Sequence, residues 1–200
     1  MTDVVDYEKA VGLLRAGAVV AVPTDTVYGL AASLAYPDAV DRLFRVKRRP
    51  TSVALPVLVK SVAAIGELNV DWPSLASQLS ASFWPGALTL VVPVEYELAV
   101  RVGGVGTVGF RIPNDQALLG VLDACGPLAV SSANEHGEPP CRSANEVNLA
   151  LGSNELLDAV LDGGTRDGDV STVVEIVDDS WQVLRSGAIS TAQIERVLSV

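Results

Sequence analysis

The sequence predicts a mixed α/β fold of the α+β type, a mixed β-sheet with helices packed on it. Three observations carry this reading. Short apolar runs that look like buried strands alternate loosely with segments of helical periodicity. Two runs near the end, "STVVEIV" and "WQVLR", are joined by "DDS" and resemble a β-hairpin. The chain has 200 residues, 49% hydrophobic and 19% charged, which is globular composition with enough core to be stable unaided. One domain over residues 1–200 is the default expectation.

Taken in order, "DYEKAVGLLRAG" puts Tyr7, Ala10, Val11 and Leu14 on one helical stripe, with Asp6 as N-cap and Gly17 as the stop. "AVVAV" reads as a buried strand. Pro37 suits the first turn of a second helix through "DAVDRLFRVK". Its apolar stripe is Val40, Leu43 and Phe44, and Lys47 extends that stripe by one turn, so its head is expected at the rim of a cavity rather than in open solvent. Arg49 precedes Pro50, which marks the helix end with an extended residue. "ALPVLV" is a further buried strand, "PSLASQLSASF" a helix and "WPG" a turn. "ALTLVV" and "VGFRI" are strands. Asn114 is placed to cap a helix through "DQALLGVLDAC", ended by Gly126. "PLAV" is a strand running into "SSAN". Ser143 with Glu146, and Ser190 with Gln193, have the spacing of capping boxes for the last two helices.

The totals exclude several classes. No apolar run approaches the roughly 20 residues of a membrane helix, and the N-terminus lacks the pattern of a signal peptide. The two cysteines, Cys125 and Cys141, have no metal or redox spacing and fit a reducing compartment. A single histidine, His136, leaves little for zinc. The formal net charge of −10 argues against broad nonspecific nucleic-acid binding. Five of the fourteen Lys and Arg nevertheless fall between residues 42 and 49, in "RLFRVKRR". The glycine-rich "VRVGGVGTVG" precedes a strand, not a helix, so a tight turn suits it better than a phosphate loop.

Five polar interruptions fall at element ends: "PTDTVYG", "KRRP", "TVGFR", "SSAN" and "VST…LR". Alone, each is the kind of loop that merely caps its element. Together they supply hydroxyls, amides and four cations, with almost no titratable base. Such a set suits an anionic, hydrogen-bonding ligand and does not suit a nucleophile–base pair.

Nine segments in order resemble the YrdC-like threonylcarbamoyl-AMP synthases: "VPTDTVYGLAA", "LFRVKRRP", "LPVLV", "FWPGALTLV", "VGFRIP", "LAVSSANEHGEPP", "DGG", "STVVEI" and "VLRSGAIS". The resemblance covers about residues 7 to 198. It implies a twisted mixed sheet around a large concave cavity. It also implies a reaction in which L-threonine, bicarbonate and ATP give threonylcarbamoyl-adenylate and pyrophosphate. Partner enzymes then transfer the threonylcarbamoyl group to an adenosine beside the anticodon of certain tRNAs. Some relatives carry an extra C-terminal domain, and this chain is expected to be the short form. A cytoplasmic location is expected, and direct tRNA contact is left open.

By the same resemblance, Thr26, Arg111, Val130 and Ser171 lie at threonine, with Arg111 suited to grip the carboxylate by its guanidinium fork. Lys47, Arg49, Thr107, Ser132, Asn134 and Arg185 lie around ATP, with Lys47 and Arg49 offsetting charge on the leaving pyrophosphate. Mg²⁺ is expected chiefly on the ATP phosphates. No general base stands out, so the chemistry is expected to rest on positioning and electrostatics. Thr24 and Thr26 alternate with Asp25 along what reads as extended chain, so both hydroxyls should face one way. Gly29 allows close backbone approach, and Tyr28 either keeps its hydroxyl for a partner or is a core tyrosine. The chain departs from the family pattern at Val53, Ala54, Leu58, His136 and Pro140, where Leu58 replaces a histidine that some members have near threonine. Two other readings stay open: a noncatalytic module gripping double-stranded RNA or tRNA, and a carbamoyl-adenylate enzyme of another pathway.

Overall fold

The computed structural model describes residues 1–50 and 53–199. The chain opens with β1 (Asp3–Val5) and α1 (Tyr7–Arg15), followed by the antiparallel pair β2 (Val20–Val22) and β3 (Gly29–Ser33). Then come α2 (Pro37–Lys47), β4 (Val57–Leu58), α3 (Val62–Gly66), α4 (Ser74–Phe83) and β5 (Leu88–Pro93). The middle of the chain forms α5 (Tyr96–Arg101), β6 (Thr107–Arg111), α6 (Gln116–Cys125) and β7 (Leu128–Ser132). It ends with α7 (Ala144–Leu151), β8 (Ala159–Leu161), the hairpin β9 (Thr172–Val177) and β10 (Ser180–Arg185), and α8 (Thr191–Leu198).

Among the described residues the strands form one sheet of ten, ordered β1-β8-β2-β3-β7-β4-β6-β5-β9-β10. It is mixed, as expected. β8 runs parallel to both β1 and β2, and β4/β6 and β5/β9 are also parallel pairs. The neighbours β2/β3, β3/β7, β4/β7, β5/β6 and β9/β10 are antiparallel.

The period-2 alternation of the strands sorts side chains to two faces. On one face Ala21, Leu30, Ala32 and Ala129 join a core with Val40, Leu43 and Phe44 of α2, Leu79 of α4, Val147 of α7 and Ile194 of α8. On the other face Val20, Val22, Ala31, Leu128 and Val130 pack under Ala10 and Leu14 of α1 and Leu118, Val121 and Leu122 of α6. This second helical layer reaches as far as Leu58 on β4. Farther along the sheet, β5, β6 and β9 still give Leu88, Leu90, Val92, Val108, Phe110, Val174 and Ile176 to the first core. Their alternate residues, Thr89, Val91, Thr107, Gly109, Arg111, Val173 and Glu175, line a cavity instead. The cavity lies where one face of the sheet lacks the helical cover that it has elsewhere.

Local signals resolve as sequence chemistry predicts, with some shifts. Asp6 caps α1, Gly17 follows it at φ 78°, and the Ser190–Gln193 capping box of α8 is closed. The cap of α6 is Asp115, not Asn114, because the Asp115 carboxylate accepts from Leu118 N. Ser143 caps α7, but Glu146 reaches back to the Arg142 amide rather than to Ser143, so that box is only half formed. The "ALPVLV" strand contracts to Val57–Leu58. Strands β1, β3 and β8 and helices α3 and α5 were not anticipated. They are short, and β3 (GLAAS) follows a polar loop with little β propensity of its own. Its residues are buried because β2 and β7 flank it.

Candidate active site

The loop between β2 and β3 carries the first group of polar residues. It is a tight bend and not the extended chain expected from alternation. Thr24 Oγ1 donates to Val27 O at 2.7 Å and accepts from the amides of Thr26 and Val27. A threonine hydroxyl competing with the backbone in this way makes a local turn. The turn, rather than strand geometry, brings Thr24 Oγ1 and Thr26 Oγ1 to 2.9 Å. The loop can lie close against β7 because residue 29 is glycine. A β-carbon there would come within 2.7 Å of Val130 Cγ1 and 3.3 Å of Ser131 O.

Tyr28, in the same loop, is a core tyrosine. Its ring is fully buried, and its hydroxyl donates to Gly164 O at 2.9 Å while accepting from Gly163 N at 2.9 Å. Burial raises its pKa, and the Gly163 amide partly offsets that. The hydroxyl ties the β2–β3 loop to the 162–170 segment, whose last residue, Val170, lines the cavity beside Ser171. Tyr28→Phe should cost about 1–3 kcal/mol by leaving the Gly163 amide without its partner. Chemical denaturation measures that loss as a lower midpoint at unchanged slope.

Arg111 projects from β6 into the cavity and is held on three sides. Its Nε donates to Gly86 O at 2.9 Å, Nη1 to Thr26 Oγ1 at 3.3 Å and Nη2 to Asp25 Oδ1 at 2.6 Å. Three of its five N–H groups are thus used, leaving one on each terminal nitrogen for a ligand. Arg111 and Asp25 are both nearly buried as an ion pair. Burial pulls the guanidinium pKa down, and Asp25 opposes the shift.

Arg185, at the end of β10, donates through Nε and Nη2 to Ser171 O and through Nη2 to Ser171 Oγ at 2.9 Å. Ser171 Oγ also lies 2.9 Å from Thr89 Oγ1. Arg49 is held by its own loop, donating to Val53 O and Ala54 O. The pKa values of Arg49 and Arg185 are lowered, first by burial and next by a neighbouring cation: Arg185 acts on Arg49, and Arg111 acts on Arg185. Three guanidiniums that repel one another around one cavity are relieved by an anion.

The cavity has two lobes. The inner one, about 140 Å³, is lined by Thr26, Leu58, Arg111, Val130, Ser132 and Val170, among others. The outer one, about 460 Å³, is lined by Val53, Val91, Thr107, Val105, Glu175 and Leu184, among others. Arg49, Pro56, Thr89, Ser171 and Arg185 border both. Eight of the ten residues assigned from the sequence therefore reach the cavity: Thr26, Arg49, Thr107, Arg111, Val130, Ser132, Ser171 and Arg185.

Lys47 and Asn134 do not line it. Lys47 is 2% exposed, and its head lies behind the wall, not at the rim. The Asn134 side-chain amide is committed inward, with Nδ2 donating to Glu135 O and Glu138 O and Oδ1 accepting from Lys47. It has no donor to spare for a nucleotide. The basic cluster 42–49 is not one face. Arg42 pairs with Asp158, exposed Arg48 pairs with half-buried Glu135, Arg45 is exposed, Lys47 is buried and Arg49 enters the cavity. That dispersal removes the surface on which the RNA-gripping reading relied. His136 is exposed and does not line either lobe. Cys125 and Cys141 are free thiols.

Sequence reasoning did not assign Asp25, Thr89 or Glu175. The signal for the last two was present. Each is a polar residue inside an apolar strand, in "ALTLVV" and "TVVEIV", at the alternate register to buried leucines or valines. Nothing local pairs Asp25 with Arg111, which lies 86 residues away.

The Sua5/YciO/YrdC family model, described as "Telomere recombination", matches residues 12–187. The chain is 38% identical over 194 residues to the threonylcarbamoyl-AMP synthase of Bacillus subtilis strain 168, covering 95% of this chain and 56% of that protein. It is 35% identical over 195 residues to the threonylcarbamoyl-AMP synthase of Xanthomonas euvesicatoria pv. vesicatoria strain 85-10, covering 92% of this chain and 100% of that protein. Among solved structures, P. abyssi Sua5 complexed with L-threonine superposes with a TM-score of 0.87 at 34% identity, over 96% of this chain and 57% of that one. The chain thus spans just over half the length of the Bacillus and P. abyssi proteins and the whole of the Xanthomonas one. By this match the chain belongs to the Sua5/YciO/YrdC family.

Proposed function

We propose that this protein is an L-threonylcarbamoyladenylate synthase. It would join L-threonine, bicarbonate and ATP into threonylcarbamoyl-AMP, releasing pyrophosphate and water, for tRNA modification by downstream transfer enzymes. The observation that carries the reading is the two-lobed cavity with three converging guanidiniums. A small, partly apolar lobe suits an amino acid, and a larger adjoining lobe suits a nucleotide. The names of the relatives and the L-threonine complex of P. abyssi Sua5 support the same assignment.

In this reading the L-threonine carboxylate takes the two remaining N–H groups of Arg111, and its methyl group lies toward Val130 and Leu58. Thr26 and Ser171 hydrogen-bond the substrate. Arg49 and Arg185, at the junction of the lobes, face the phosphates. Their charge counters the negative charge that builds on pyrophosphate as the mixed anhydride forms. Thr107, on the outer lobe, borders the nucleotide, while Ser132 lines the inner lobe that Arg49 also borders. The cavity holds its charged groups by internal hydrogen bonds, so little reorganisation is needed at reaction. No side chain here is assigned as general base, and the nucleophile is supplied by the substrates themselves, either as threonine's amine attacking activated bicarbonate or as a preformed carbamate attacking the α-phosphate. A Mg²⁺ ion bound with ATP would sit chiefly on the ATP phosphates and shield their charge. None of the described helices is long and apolar enough to cross a membrane. A cytoplasmic enzyme fits this.

Pyrophosphate release, measured with ATP, bicarbonate and a panel of amino acids, tests the reading. Turnover should require bicarbonate and be fastest with L-threonine. Equal rates with other amines, or pyrophosphate release from ATP when carbamoyl phosphate replaces bicarbonate and the amino acid, would move the protein to another carbamoyl-adenylate pathway.

A further inference from the structure

Lys47 sits between two walls of the cavity without touching it. Its Nζ lies 2.8 Å from Ser132 O, 3.2 Å from Ser132 Oγ, 3.1 Å from Asn134 O and 3.0 Å from Asn134 Oδ1. All four are neutral oxygens, and an ammonium has three protons, so the cage leaves none for a phosphate. The same segments meet again where His136 N donates to Lys47 O at 2.9 Å. Two residues beyond Lys47, after Arg48 turns the chain at φ 52°, Arg49 enters the cavity. Ser132, at the far side of the cage, also lines it. Burial, reinforced by the Arg49 charge, lowers the Lys47 pKa to about 8, so the ammonium is still the main form at neutral pH.

We infer that Lys47 is a positioning residue that locks the 132–138 loop to the end of α2 and so sets Ser132 and Arg49 relative to each other. The reading rests on the assignment of Arg49, which borders both lobes, to the nucleotide phosphates. A buried ammonium without a carboxylate partner is an expensive way to hold a loop. Its use is understandable here because its tetrahedral donors satisfy several oxygens of a tight loop at one point. A planar guanidinium presents its donors in a fork of a different shape and cannot replace it in that cage.

The test is a double-mutant cycle of Lys47→Met and Asn134→Ala, read as kcat/KM for ATP, together with Lys47→Arg. Each single variant should lose about 10-fold or more. The double variant should lose no more than about twofold beyond the worse single one, since both remove the same lock. Losses that multiply would overturn the lock, because they mean that Lys47 and Asn134 act separately. Lys47→Arg should not restore activity; restoration would mean that charge alone matters and would equally overturn it. Amide hydrogen exchange of the ligand-free protein separates this inference from the proposed reaction. Residues 132–138 should exchange about 10-fold faster or more in Lys47→Met, whatever the enzyme's substrate proves to be. Unchanged exchange would sink the lock. If Lys47→Met does not fold, Lys47→Arg carries the same exchange measurement. Wild-type protein that turns over no ATP, with loop exchange accelerated as stated, would reject the reaction and keep the lock.

Discussion

Arg111→Ala is expected to raise the KM for L-threonine about 30-fold to several thousand-fold, the equivalent of losing about 2–5 kcal/mol from a buried charge pair. Two effects add. The substrate carboxylate loses its fork, and Asp25, only 12% exposed at its side chain, loses the cation 2.6 Å away. The KM for ATP should change by no more than about threefold, because Arg111 lines the inner lobe and not the outer one. Arg111→Lys keeps the charge but cannot serve Gly86 O, Thr26 and Asp25 together, so it should recover little of the loss. Steady-state kinetics in both substrates, with calorimetry of threonine binding, checks the result. Normal threonine binding with weakened ATP binding would reverse the two lobes.

Arg49→Ala is expected to lower turnover by about 10²-fold, comparable to losing one preorganised donor aimed at developing charge. Arg42→Ala should change turnover by less than about twofold. Its guanidinium lies 3.2 Å from Asp158 and also donates to Gly17 O, and it borders neither lobe of the cavity. The two arginines are seven residues apart in one basic run, so a generic basic surface would treat them alike. Turnover measured at saturating threonine and ATP separates these cases. Equal losses would return the run 42–49 to a diffuse electrostatic role.

The sequence by itself determined the fold class, most helices and the longer strands. Those depend on periodicity and caps, which act within a few residues: the stripe of α2, the Asp6 and Ser190 caps, and the β9–β10 hairpin all appear where local chemistry puts them. Ordered motifs also pointed to eight cavity residues, because polar groups at strand ends are conspicuous against an apolar background. Only the tertiary structure decided which of these groups face a ligand. Lys47 looked like a rim residue because it extends the apolar stripe of α2. Its head is instead captured by a loop 85–87 residues away. Asp25 looked like one polar residue among several, until the fold brought Arg111 against it. Thr24 and Thr26 met through a turn rather than by alternation. β3 (GLAAS), with little β propensity of its own, is a strand because β2 and β7 flank and pair with it, while the Val-bearing runs of β1 and β8 are too short to be read as strands until each finds its partner. For Lys47, Asp25 and the short strands the deciding contact joins residues far apart in the chain, whereas Thr24 and Thr26 meet through a local hydroxyl–backbone turn that alternation does not anticipate. The distant contacts cannot be read from local composition, because the energy of a buried charge or a short strand is set by what surrounds it after folding.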